Sequence, residues 1–317
     1  MLFKRIFTFG STSLNKKHSY SDSVFKQHIQ ADFVLLGLCG IWGSSFPIVK
    51  KILPEIPPTP LLWFRFGVAS LIFFPMIFKE RRHWNWTFLR NGMGIGLFLF
   101  LGMWTQTLGL VYTSAIHSGF LTALSVLLVP IWCIFLFKKT ISRRVWVAIG
   151  LTVLGAYFLA FSSNPLENFQ IQKGNFLTLL CAVAFSFEIV LIQYFVTHET
   201  VWTSTWVMSL TVTILALIMD VVSGAGKIHF HGFSQSTWAF LIYLALVVTA
   251  FSFWAQLNFQ PRTSATAAAI IYTTEPIFAL IFSRILLGEQ LSFQGWVGAG
   301  LILTGLLIHE LRARELI

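Results

Sequence analysis

Apolar residues in this chain come in blocks of about 20, long enough for a helix to cross the hydrocarbon core of a bilayer. Ten blocks are legible: 33–52, 60–78, 92–112, 115–137, 145–163, 174–196, 203–222, 236–258, 265–287 and 293–310. Lipid offers no partner to a free backbone N–H or C=O, so each block is expected to be a helix that satisfies its own backbone. The polar stretches between blocks are short and leave no room for a soluble domain. The pattern predicts an all-α integral membrane protein with ten transmembrane helices.

The blocks also repeat. At an offset of 150, Thr113-Ser114-Ala115 falls on Thr263-Ser264-Ala265, Trp146-Val147 on Trp296-Val297, and Gly155 on Gly305. Eleven of 47 ungapped pairs between 113–159 and 263–309 are identical, against roughly four expected by chance in so biased a composition. The first spans of each half align at an offset near 143, Phe33 on Phe176. The expected organisation is a basic tail (1–31), a first five-helix repeat (32–163) and a second (174–311). An odd number of spans makes the second copy cross in the opposite sense, so the repeats should be inverted, with a substrate site near the midplane between them.

Composition agrees with a bilayer environment. Hydrophobic residues make up 56% of the 317 and charged residues only 11%, far from the quarter typical of soluble proteins. The formal charge of +10 is distributed as orientation signals and does not point to a nucleic-acid partner. With the N-terminus inside, sixteen basic residues fall on cytoplasmic segments and four on outer loops, so both termini should be cytoplasmic. Loop 138–144 (KKTISRR) is basic while its counterpart 288–294 (GEQLSFQ) has no basic residue, as inversion requires. The Ser- and Thr-rich tail reads as a cytoplasmic extension, with an organelle transit peptide as the other reading. Cys39, Cys133 and Cys181 lie in apolar blocks without metal or redox spacing.

IWGSSFPIVK (41–50), the arginine of LLWFRFGVAS (61–70), YTSAIHSGFLTALSVLLVP (112–130) and TSATAAAIIYTTEPIFALIFSRILLGEQL (263–291) together resemble EamA domains of the drug/metabolite transporter superfamily. The resemblance covers about 30–311. It implies ten helices around a central cavity and export or exchange of small metabolites, from amino acids to nucleotide-like compounds, in a bacterial plasma membrane. The first copy departs from the pattern, with Lys138-Lys139 where the second has Gly288-Glu289.

Ionisable residues within membrane spans are costly, and each is therefore a candidate for function. Glu275 lies about ten residues into its span, roughly 15 Å deep, with Tyr272 on its face. Pro276 beside it removes an amide donor and should leave the Tyr272 carbonyl unpaired. Under the repeat, Glu275 falls on Ser125, Arg284 on Ile134, His117 on Ala267 and Glu188 on Ser45. The fold is thus built once without these charges, which points to substrate binding or proton coupling for Glu275 and Glu188. Arg65 and Asp220 near the outer ends of their spans suggest a structural ion pair or an outer gate. Arg284, nine residues after Glu275, points to the opposite helix face and is either a functional partner or a side chain reaching the interface. Trp42-Gly43-Ser44 before Pro47 marks a weakened stretch that lines a pathway or forms a packing kink. His117 is a pH-sensitive group or a hydrogen-bonded structural histidine.

Small-residue spacings at Gly92/Gly96, Ala265/Ala269 and Gly295/Ala299 permit close helix contact within one chain or between two copies. His229-Phe230-His231 lacks further ligands for a metal. No phosphate-cradling glycine loop with a lysine is present, and no cofactor is implied. The residues predict a secondary transporter of a small metabolite, such as an amino acid or related compound, working by alternating access. A carrier for a nucleotide-like compound such as S-adenosylmethionine and a non-transporting scaffold are the alternatives. An enzyme would need a convergent nucleophile, base or set of metal ligands, such as His117, Glu188 and Glu275 clustered around a metal.

Overall fold

The structure is a computed structural model that describes residues 9–80, 85–137, 143–160, 169–224, 232–263, 268 and 271–311. Lys138, Lys139, Lys227, the 229–231 histidine pair and Ala265/Ala269 lie outside the described residues. The described chain is helical, with no strand: α1 Phe9–Ile52, α2 Pro58–Phe73, α3 Trp86–Tyr112, α4 Ala115–Thr122, α5 Ser125–Phe137, α6 Arg143–Ala160 and α7 Phe169–Phe195. Then follow α8 Val201–Ser223, α9 Gln235–Arg262, α10 Glu275–Leu287 and α11 Phe293–Leu311. Six of these stretches are long and apolar enough to cross a membrane: His28–Ile52, Pro58–Phe78, Trp86–Tyr112, Ile171–Phe195, Val201–Ser223 and Gln235–Arg262. The protein is a multi-pass integral membrane protein.

Local chemistry sets the helix ends. Asn85, Ser114 and Ser234 accept from the backbone N–H groups of Phe88, His117 and Thr237, capping α3, α4 and α9. α8 and α10 stop at Gly224 (φ 59°) and Gly288 (φ 65°), where a left-handed residue turns the chain out of the helix at least cost to glycine.

Two predicted spans are broken. The block 115–137 bends at Ala123-Leu124, and the block 265–287 bends at Thr273-Thr274, 150 residues later. This corrects the role expected of Pro276. The first copy breaks at the same place without a proline, so the break belongs to the repeat. Pro276 is the second residue of α10, where the amide it lacks would have no intrahelical acceptor.

The most extensively packed helix pairs are α3 with α7, α6 with α11 and α2 with α8, followed equally by α1 with α10 and α3 with α8. Glycine makes the α6–α11 approach possible: a Cβ on Gly298 would lie 2.6 Å from the Leu159 amide nitrogen. Gly92 and Gly96 serve α3 against Val207 and Thr211 of α8, so this spacing packs within one chain. Leu71, Val221, Val222, Ile285 and Phe293 are turned outward, where lipid covers them. Two hydrogen bonds tie the repeats together at equivalent positions. Thr113 donates to Asn175 Oδ1 at 2.6 Å, and Thr263 donates to Asp32 Oδ1 at 3.0 Å.

Candidate functional site

A cavity lined by residues of both repeats opens between them. Its walls come from matched positions of the two copies. At the 143 offset, Trp42 and Phe185, Ser45 and Glu188, and Phe46 and Ile189 all face it. At the 150 offset, so do Met103 and Phe253, Gln106 and Gln256, Thr122 and Tyr272, and Ser125 and Glu275. The two copies contribute matched positions to the wall, and the charges differ between them. Arg65, Glu188 and Glu275 each correspond by the repeat offsets to a residue that carries no charge (Met208, Ser45 and Ser125).

Glu275 begins α10 directly after the break, so its carboxyl is held at a helix N-terminus, the end of the macrodipole that favours negative charge. Among the described residues no cation pairs with it. Glu188, on α7, is 3% exposed, and its carboxyl lies beside the amide of Gln256. Glu188 Oε1 and Gln256 Oε1 are both buried and lack a hydrogen-bond donor among the described residues. Gln256 Nε2 donates to Gln260 Oε1 at 3.2 Å, and the Tyr272 hydroxyl donates to the same oxygen at 3.0 Å. Gln260 Nε2 in turn reaches the Ile189 carbonyl at 3.1 Å. This network fixes the Tyr272 ring at the wall, where it packs against Trp42 with centroids 5.6 Å apart.

Arg65 is the largest departure from expectation. It is 1% exposed on α2 and lines the cavity. Its Nε donates to Thr249 Oγ1 at 2.9 Å. The expected partner, Asp220, accepts instead from Thr59 Oγ1 at 3.1 Å. Thr59 is six residues before Arg65, which puts the Asp220 contact roughly 9 Å further out along α2. The ion pair therefore does not form.

The remaining candidates divide. Trp42 faces the cavity; Gly43 and Ser44 do not. Gly43 packs on α10, where a Cβ would meet Phe278 Cβ at 2.5 Å. Ser44 donates to the Ile41 carbonyl and bonds the Tyr243 hydroxyl at 2.8 Å. A turn of 100° per residue places Trp42, Ser45 and Phe46 on the cavity face and rotates 43 and 44 away. His117 is buried near Lys50 at the start of α4 and is not among the cavity walls, so it does not join Glu188 and Glu275. Arg284 is exposed in the last turn of α10 and does not face Glu275. Sequence reasoning missed Gln106 and Gln256 as a pair, although Trp104-Thr105-Gln106 and Trp254-Ala255-Gln256 stand 150 apart and carried the signal.

The model of the EamA-like transporter family matches residues 29–161 and 172–309. An uncharacterized transporter of Archaeoglobus fulgidus is 32% identical over 291 residues, covering 90% of this chain and 87% of its own. Proteins named probable amino-acid metabolite efflux pump are also similar. That of Salmonella typhimurium is 26% identical over 87% of this chain and 93% of its own. That of Escherichia coli is 25% identical over 85% and 91%. A solved crystal structure superposes with a TM-score of 0.64 over 91% of this chain and 99% of its own, at 16% identity, a likeness of fold.

Proposed function

Because the chain belongs to the EamA-like transporter family, we propose that it is a secondary transporter exporting or exchanging a small amine-bearing metabolite, an amino acid or a related compound. The observation that carries this reading is a cavity walled by equivalent positions of two repeats, with one arginine and two carboxyls on its surface. A carboxylate-bearing amine offers the complementary charges. The names of the Salmonella and Escherichia relatives support the same substrate class.

The architecture that goes with this function is ten crossings in two inverted five-helix repeats, 32–163 and 174–311, with both termini cytoplasmic in a bacterial plasma membrane. Alternating access follows from such a frame, because two matched halves can rock about a site between them. The breaks before Ser125 and Glu275 support this reading, since interrupted helices place free backbone groups beside a midplane site. Glu275 binds the substrate amine or exchanges a proton, and Tyr272, Trp42 and Glu188 share the site.

The test is counterflow of labelled amino acids in proteoliposomes holding the purified protein. Uptake above empty vesicles, lost in Glu275→Gln, supports the proposal. Full activity in Glu275→Gln removes the proposed role of that residue. Absence of transport for every amine tried, by protein that elutes as a folded species, overturns the reading.

A further inference from the structure

Two of the three charged groups of the cavity, Arg65 and Glu188, stand at separate stations along one helix. Thr249, Ser252 and Gln256 are spaced three and seven residues apart on α9 and are all buried on its inner face. Thr249 holds Arg65, and Gln256 stands beside Glu188. The seven residues between them amount to roughly 10 Å of helix. All three charged residues line the cavity, yet Arg65 pairs with neither carboxyl among the described residues.

Each station is built to meet a ligand group. At the first, the Thr249 hydroxyl gives its own hydrogen to the Leu244 carbonyl, five residues back, at 2.7 Å. That reach exists because Leu244–Phe251 is wound as a π-helix, a rare winding frequent at functional sites. The hydroxyl oxygen is left as an acceptor for Arg65 Nε, and the guanidinium Nη atoms have no partner among the described residues. A planar fork with free donors matches a carboxylate. At the second station, Glu188 Oε1 and Gln256 Oε1 are each buried without a donor among the described residues, and the Gln256 side chain lies against the Glu188 carboxyl. An ammonium or guanidinium supplies such donors. Between the stations Phe253 lines the wall, four residues after Thr249 and three before Gln256. It gives the middle of the site an apolar surface suited to methylene groups.

We propose that the cavity selects compounds whose carboxylate and cationic group are separated by a chain of several atoms: ω-amino carboxylates and α-amino acids with a basic side chain. Arg65 takes the carboxylate, and Glu188 with Gln256 takes the distal cation. An α-amino acid without a basic side chain carries both charges on one carbon and reaches only one station. The inference rests on the transport reading and adds the substrate class to it.

The experiment compares labelled lysine, ε-aminocaproate and norleucine in counterflow, three compounds with the same six-carbon chain. Lysine and ε-aminocaproate are expected to exchange about tenfold faster than norleucine, a difference of about 1.4 kcal/mol. Glu188→Gln and, separately, Gln256→Leu are expected to collapse the ratio of lysine to norleucine. Thermal shift of the purified variants with lysine separates lost recognition from failed folding. Norleucine moving as fast as lysine, or both variants keeping the ratio, overturns the inference and leaves the transporter reading standing. If no compound moves, both fall.

Discussion

Ser125 and Glu275 are the same position in two copies. Each is the first residue of the helix that follows a break, each faces the central cavity, and they stand 150 residues apart. One is a hydroxyl and the other a carboxyl, so the frame of the site is duplicated while its charge is not. Glu275→Gln keeps the shape and removes the charge. It is expected to lower transport in proteoliposomes by tenfold or more, on the order expected for removal of a functional charge within a membrane. Ser125→Ala is expected to stay within about twofold of the unaltered protein, since its small hydroxyl carries no charge. Equal losses in the two variants would mean that the position matters for packing alone.

Arg65 is aimed by Thr249. Thr249→Val removes the acceptor of the Nε bond with little change in volume, and is expected to raise the half-saturation concentration for a carboxylate substrate roughly tenfold, as loss of a hydrogen bond to a charged group implies. Thr249→Ser retains the hydroxyl and should restore near-normal values. Arg65→Lys loses the planar fork and should resemble Thr249→Val. A maximal rate that falls while half-saturation stays constant would contradict a positioning role.

Glu289 clasps a helix from the other repeat. Its two carboxyl oxygens accept the Ala115 and Ile116 N–H groups at 3.0 Å each, filling the start of α4. Glu289→Ala is expected to destabilise the protein by about 1 kcal/mol, the usual effect of a lost cap. Thermal unfolding in detergent reads this directly, and Glu289→Gln should lose less because it retains one acceptor.

Glycine at 43 and 298 keeps helix axes close. Gly298→Ala pushes a methyl group against the Leu159 backbone, and Gly43→Ala pushes one against Phe278 and the Ala279 amide. Each is expected to destabilise by about 1–3 kcal/mol through overpacking. Gly94→Ala, where a Cβ meets nothing within 4 Å, is the control and should be neutral or slightly stabilising.

Outside the membrane spans, Glu55 accepts from the Ser234 N–H at 3.0 Å and from its hydroxyl at 3.2 Å. The Ser234 backbone bond, first, holds the Glu55 carboxyl below its ordinary value. The folded state therefore favours the ionised form, and the stabilisation is present above the unfolded value and lost as pH falls through the folded one. Melting temperatures of the unaltered protein and Glu55→Gln should differ slightly at neutral pH and converge once the pH falls below the ordinary glutamate range and through the lowered folded value.

The membrane class, the positions of apolar blocks, the duplication and the identity of every buried charge are written in the sequence itself. Hydropathy is a property of each segment alone, and self-similarity needs only two segments laid side by side. The cavity could also be traced in part, because Ser125 follows from Glu275 once the offset is known. What the chain alone did not reveal is which face of each helix meets which neighbour. Gly43 and Ser44 sit one and two residues from Trp42, yet the crossing of α1 with α10 turns them away from the cavity. Arg65 and Asp220 both lie near the outer ends of their apolar blocks, yet a π-wound segment of α9, 184 residues away from Arg65, captures its Nε and turns it inward. Helix rotation, crossing and winding are settled by the packing of all the helices together, and so the tertiary structure alone decided which charges share a cavity and how far apart they stand.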